Sequence, residues 1–184
     1  MTSIPAQQVA AELRSRLPGL GVKKLHKLLY YCQGHHLATF GSPLFPESIS
    51  AWDMGPVVGS LWKSERDNGI DDRLIDLDEA VLNTVGYVVS RYGALTGSDL
   101  ERLTHNEDPW LDADAKRKKG GGMRISTDAI ATFFHTNKAD SEDQEIQPDP
   151  AQVQDWLRGA TDTGRQQSTP DTYAGIRARA WSHG

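Results

Sequence analysis

The sequence predicts a mainly α protein: a compact helical domain with a short β element, followed by a C-terminal extension. Three observations predict it. Apolar residues recur at three- and four-residue intervals through most of the first 135 positions, most clearly at Leu25, Leu28, Leu29, Cys32, His36 and Phe40. Alternation with period two is confined to residues 48–53. After about His135 the periodicity gives way to Asp140, Glu142, Asp143, Glu145 and Asp149, with Pro148 and Pro150, which reads as a solvated linker. The expected division is a helical domain over 1–136 and an acidic linker with short helices over 137–184.

The first helix is expected from Ser3 to about Leu17. Ser3 suits an N-cap, Pro5 suits the first turn, and Val9, Leu13 and Leu17 recur every four residues before Pro18-Gly19. The second is expected from Val22 to Phe40, ended by Gly41-Ser42-Pro43. Lys23, Lys24 and Lys27 lie at its start, where the helix dipole disfavours cations, so these lysines call for partners. A strand over 48–53 puts Ile49 and Ala51 on one side and Trp52 on the other. Pro56 is read as the first residue of a helix to Asn68, with Val57, Val58, Leu61 and Trp62 inward. A helix from Asp78 to Tyr92 follows, with Gly93 as its C′ residue. Ser98 and Glu101 form a capping-box pattern for a short helix through Thr104. LTHNEDPW is read as a turn in which Pro109 fixes the exit of Trp110. Leu111–Lys118 suggests a short helix, and 116–122 a basic, flexible glycine loop. Ile125 marks a short strand. Ser126 or Thr127 caps a last core helix with Ile130, Phe133 and Phe134.

Composition limits function. The 184 residues carry a net charge of −5, which argues against a broad nucleic-acid footprint. The single cysteine, Cys32, rules out an intramolecular disulfide and fits a reducing compartment. No apolar run approaches a membrane span, and the N-terminus has no apolar signal core. A cytoplasmic protein is expected.

Candidate chemistry is sparse. Cys32 and His36 share a helical face at i, i+4, but a zinc site needs two further ligands, and no CxxC or HExxH pattern occurs. No metal or cofactor is expected. Cys32 with His36 as base, or His105 with Asp108, are the two arrangements that suit a hydrolase. Against them, Cys32 falls on the apolar stripe, and Asp108 before Pro109 is a turn former. Trp52, Trp62 and Trp110 serve either as core or as interface anchors. Trp156 and Trp181 lie in segments too polar for a second core, so each docks back on the domain or meets a partner.

Taken together, the segments have a familiar order. Lys24-Leu25-x-Lys27-Leu28-Leu29-Tyr30-Tyr31-x-Gln33-Gly34-x-His36-Leu37 resembles the opening helix of the Panacea domain, the family of SocA-like and GepA-like proteins. Gly41-x-Pro43-Leu44-Phe45, Ala51-Trp52, Gly55-Pro56-Val57 and Thr104-His105-x-x-x-Pro109-Trp110 are similar to its following segments, over about residues 20–135. Cys32 and His35 depart from the pattern, and loop 116–122 and the extension lie outside it. The resemblance implies a non-enzymatic antitoxin of a bacterial or phage toxin–antitoxin pair, encoded beside a toxin that it neutralises by direct binding. Toxins paired with the family include small alarmone-synthetase-like enzymes and membrane-acting peptides. The SocA-like branch implies a second role, delivery of the toxin to a ClpXP-type protease. The expected toxin-binding residues are Trp52, Asp53, Met54, Trp62, His105, Trp110, Lys118, Trp156 and Trp181. No nucleic acid or membrane partner is implied.

Overall fold

One helix is buried on every side, and the rest of the fold packs around it. The computed structural model describes residues 4–142, with side chains to Asn137. Its elements are α1 (Ala6–Arg16), α2 (Val22–Phe40), β1 (Ile49–Trp52), β2 (Gly55–Val58), α3 (Gly59–Asn68), α4 (Glu79–Tyr92), α5 (Gly97–Thr104), α6 (Asp108–Asp114), β3 (Met123–Arg124) and α7 (Thr127–Glu142). The mainly α class is as expected. α2 packs against α1, α4, α5, α7 and β2. Leu25, Leu28, Leu29 and Cys32 fill one side of it, and Lys27, Tyr30, Tyr31 and Gly34 are buried as well. Gly41, with φ 67, ends it where expected.

The loop after α2 is shaped by one side chain. Gln33 Oε1 accepts from the Leu44 and Phe45 amides at 2.9 and 3.2 Å, and its Nε2 donates to the Phe45 carbonyl at 3.1 Å. This satisfies a buried amide and aims the chain into β1. The same loop caps α1: Ala6 N–H donates to Glu47 Oε2 at 3.1 Å. The N-cap position belongs to Pro5, and Ser3 lies outside the described residues.

α7 crosses α2 at Gly34. A Cβ there would meet the Phe134 ring at 2.3 Å, and Phe134 is only 4% exposed. Gly34→Ala gains ~1 kcal/mol of helix propensity. It overpacks a closed contact at a cost of ~1–3 kcal/mol. The ring has nowhere to swing, so a net loss of stability is expected in urea unfolding, and an equal or higher midpoint would refute the contact.

Several expected boundaries move. Pro56 does not open a helix; Gly55–Val58 pairs antiparallel with β1, Ile49 opposite Val58 and Trp52 opposite Gly55. The period-two signal in this stretch is too short to see, and a Pro at a hairpin edge mimics a helix start. α3 therefore begins at Gly59, with Leu61 buried and Trp62 only half-buried. β3 adds to the other edge of β1, giving the order β2-β1-β3. Gly93 is right-handed rather than a left-handed cap. The capping box on α5 is Thr96 with Asp99, two residues earlier than Ser98 with Glu101. The turn expected at LTHNEDPW is shorter than its motif, since Asp108 already begins α6. α7 runs on to Glu142, so 138–142 continue a helix where a linker was expected.

The basic loop 116–122 is also more tied down than expected. Arg117 donates to Asp114 Oδ1 at 2.7 Å and to the Gly121 carbonyl at 3.1 Å, and it pairs with Asp53. One guanidinium thus joins the end of α6, the glycine turn and the β1–β2 hairpin.

Candidate functional site

A cleft of about 460 Å³ opens between the start of α2, the β1–β2 hairpin, α3 and the glycine turn. Its size lies within the usual range for ligand sites. Trp52 and Trp62 meet edge to face across it, with centroids 5.3 Å apart. Trp52 leaves the strand on the face opposite Ile49 and Ala51, and so points away from the core. Its indole lies against Gly122, where a Cβ would meet Nε1 at 2.7 Å. Arg66 covers Trp62 at 4.8 Å. At the rim, Val22 and Met54 are 47% and 54% exposed.

The floor is polar. His26 and Lys27 line the cleft and are 2% and 1% exposed. His26 Nδ1 accepts from the Val58 amide at 3.3 Å. In the neutral ring the proton therefore sits on Nε2, which is buried without a partner among the described residues. Burial, with the nearby charges of Lys27 and Arg14, pushes this imidazole down to about 4. Burial also pushes the Lys27 ammonium down to about 8, against the pull of Glu101 and with the push of Lys23. At neutral pH Lys27 is thus a charged group held out of water, while His26 is neutral.

The other charges at the cleft are paired. Lys23 forms an ion pair with Glu101, and Asp53 with Arg117. Lys24 donates to the Gly93 carbonyl at 2.6 Å. Two of the three lysines at the start of α2 thus have the partners that the helix dipole called for. No hydrogen bond or ion pair reaches the third, Lys27, among the described residues.

A second polar cluster ties the two sequence blocks together. Tyr31 Oη donates to Glu107 Oε1 at 2.8 Å, and Tyr31 stacks on Tyr92 at 4.0 Å. The Tyr30 hydroxyl and Glu107 Oε2 are within electrostatic reach, but neither has a well-formed hydrogen bond. Burial raises the Glu107 carboxyl to about 7, against the two tyrosine hydroxyls that lower it. Tyr31→Phe removes the one well-formed bond to this carboxyl. A loss of ~1–3 kcal/mol is expected by chemical denaturation at pH 8, where Glu107 is charged. A negligible loss there would show that the bond does not hold the turn.

The expected site residues divide accordingly. Trp52, Asp53, Met54 and Trp62 come together at the cleft. His105 and Trp110 do not line it; they stack on each other at 3.9 Å, and Trp110 is only 7% exposed. Lys118 is exposed on the loop and its carbonyl accepts from the Gly121 amide at 2.9 Å. Trp156 and Trp181 lie outside the described residues. Cys32 is fully buried, and burial raises its thiol, which suppresses the nucleophilic thiolate. His36 Nδ1 donates to Thr84 Oγ1 at 2.9 Å, since that hydroxyl donates to the Ala80 carbonyl. Its Nδ1 is therefore engaged with Thr84. No hydrogen bond joins His105 to Asp108 among the described residues.

Residues 25–111 match the family model of the antitoxin SocA-like Panacea domain. The match spans just under half of the chain. Neither curated proteins nor solved structures give a match. The Panacea span contains the cleft floor, His26 and Lys27, and both tryptophans. Val22, Lys23 and the glycine wall 120–122 fall outside it. Among the described residues, no helix is long and apolar enough to cross a membrane.

His26 does not stand out in the sequence. Lys27 stands out through the helix dipole and the family motif, and 120–122 as part of the basic loop, but neither as part of a cleft. The available signal was a second stripe, Lys27, Tyr30, Tyr31 and Gly34, at i, i+3, i+4 and i+7. A lysine leading such a stripe on a helix already apolar opposite is a lysine facing protein.

Proposed function

We propose that this protein is an antitoxin that neutralises a cognate toxin by direct protein–protein binding, without catalysis. The family match supports an antitoxin role. The observation that carries direct binding is the cleft: half-buried Trp52 and Trp62, with exposed Val22 and Met54, gather apolar surface around a recess. Interface energy concentrates in such aromatic anchors seated in pockets. Asp53 and Arg117 hold the hairpin against the loop and so fix the mouth. Lys118 and His105 extend the contact at the periphery, while Trp110 supports His105 from the core.

The test is co-expression with the product of the adjacent gene. The chain restores growth and co-purifies with that product. Trp52→Ala and Met54→Ser each weaken the complex at least tenfold in calorimetry, equivalent to ~1.4 kcal/mol or more, with the circular dichroism spectrum unchanged. Rescue of growth without a physical complex, or unchanged affinity in both variants, overturns this reading.

A further inference from the structure

The cleft contains more than apolar surface. Two donors lie at its floor: the Lys27 ammonium, which among the described residues has only the longer-range attraction of Glu101, and the His26 Nε2–H, which is buried without a hydrogen-bond partner. Both residues are at least 98% buried. The other charged groups lining the cleft are compensated, Lys23 by Glu101 and Asp53 by Arg117. The cleft therefore carries one unbalanced positive charge inside a protein of net charge −5. Burying an unpaired ammonium is costly, and a pairing anion offsets that cost only when it enters the same desolvated space. The walls above the donors, Trp52, Met54, Val57 and Trp62, are apolar.

We propose that the cleft is an anion socket, which takes a carboxylate borne on an apolar body. The carboxylate lies against the Lys27 ammonium and His26 Nε2–H, and the apolar body lies against the Trp52–Trp62 pair. The occupant we assign is an acidic side chain of the toxin flanked by an apolar residue. That assignment rests on the antitoxin reading; the socket chemistry does not. The order of forces is decided by burial. The exposed lysines of loop 116–122 attract a carboxylate only through water, whereas the cleft offers it a charge held in desolvated space.

Two experiments on the full-length chain separate the claims. In the first, 4-phenylbutyrate and the isosteric 4-phenylbutyramide are titrated against the free protein, followed by tryptophan fluorescence. The carboxylate binds at millimolar concentration, the amide at least tenfold more weakly, and Lys27→Met and Lys27→Gln remove the difference. Equal binding of acid and amide, or an undiminished difference in both variants, overturns the socket. In the second, the toxin complex is titrated with wild type and Lys27→Met. A loss of at least 30-fold, matched by one Asp or Glu→Gln change in the toxin and non-additive with it, supports the assigned occupant. A toxin complex indifferent to Lys27→Met overturns that occupant and leaves a small-carboxylate site. Acid selectivity in the first experiment with no toxin complex in the second overturns the antitoxin reading alone.

Discussion

Replacing Lys27 by Met is expected to make the free protein more stable and its complex weaker. The fold lowers the Lys27 pKa from 10.5 to about 8, with desolvation as the main cause. At pH 7 that shift corresponds to a penalty on the order of 3 kcal/mol for keeping the ammonium charged inside. Met fills nearly the same volume without the charge. Replacing buried ionic groups by apolar ones of similar size stabilises by ~1–4 kcal/mol in favourable cases. Lys27→Met should therefore raise the urea midpoint, while binding falls as argued above. Stability given up for a buried cation with no hydrogen bond or ion pair among the described residues is the signature of a residue kept for its partner.

The same residue has a pH signature. A cation whose folded pKa lies below its unfolded value holds its proton more weakly in the fold. Between pH 8 and 10.5 the unfolded chain binds more protons, so the Lys27 contribution makes stability rise with pH in that window. Tyr30, Tyr31 and Tyr92 act oppositely above about pH 10, because burial holds their phenols above the usual value. The wild-type minus Lys27→Met difference cancels the tyrosines. It should shrink steadily from pH 8 to 10, and a flat difference would show that Lys27 is not buried as a charge.

How much of this was legible in the sequence depended on the range of the interaction. α2 was read to its exact ends because its apolar period is long and Gly41 closes it. The β1–β2 hairpin was missed because two four-residue strands carry little periodicity, and Pro56 has equally good local reasons to start a helix. In the sequence Glu107 counts only as a second carboxylate beside His105 and Asp108. Its importance comes from Tyr31, 76 residues away, and no local pattern encodes that bond. The sequence leaves Trp52, Trp62 and Trp110 open between core and interface, and the cleft shared by the first two depends on loop 116–122 folding back through Arg117. The charged floor was the least legible part, because Lys27 looks like any lysine at a helix start until its neighbours are known.

Gly55→Ala is the second change with a large expected effect, and it links the hairpin to the floor. All described non-glycine residues have negative φ, so the positive φ needed to close the turn at Asp53-Met54 falls on Gly55, at 103°. An alanine there costs ~1–2 kcal/mol in backbone strain. Its Cβ also meets Lys27 Cε at 2.7 Å, Nζ at 3.0 Å and Thr104 Oγ1 at 3.2 Å. Lys27 is the flexible partner in this contact, but it is enclosed, so relieving the clash costs ~1 kcal/mol more. A total loss of about 2–3 kcal/mol is expected in urea unfolding. The two parts separate in a double-mutant cycle with Lys27→Ala, which removes the clashing atoms but leaves the φ strain. Gly55→Ala should cost ~1 kcal/mol less in that background than in wild type. An identical cost in both would mean that Gly55 serves the turn alone. A smaller cost would show that the missing Cβ also makes room for the buried ammonium, so that one glycine sets both the hairpin and the depth at which the charge is held.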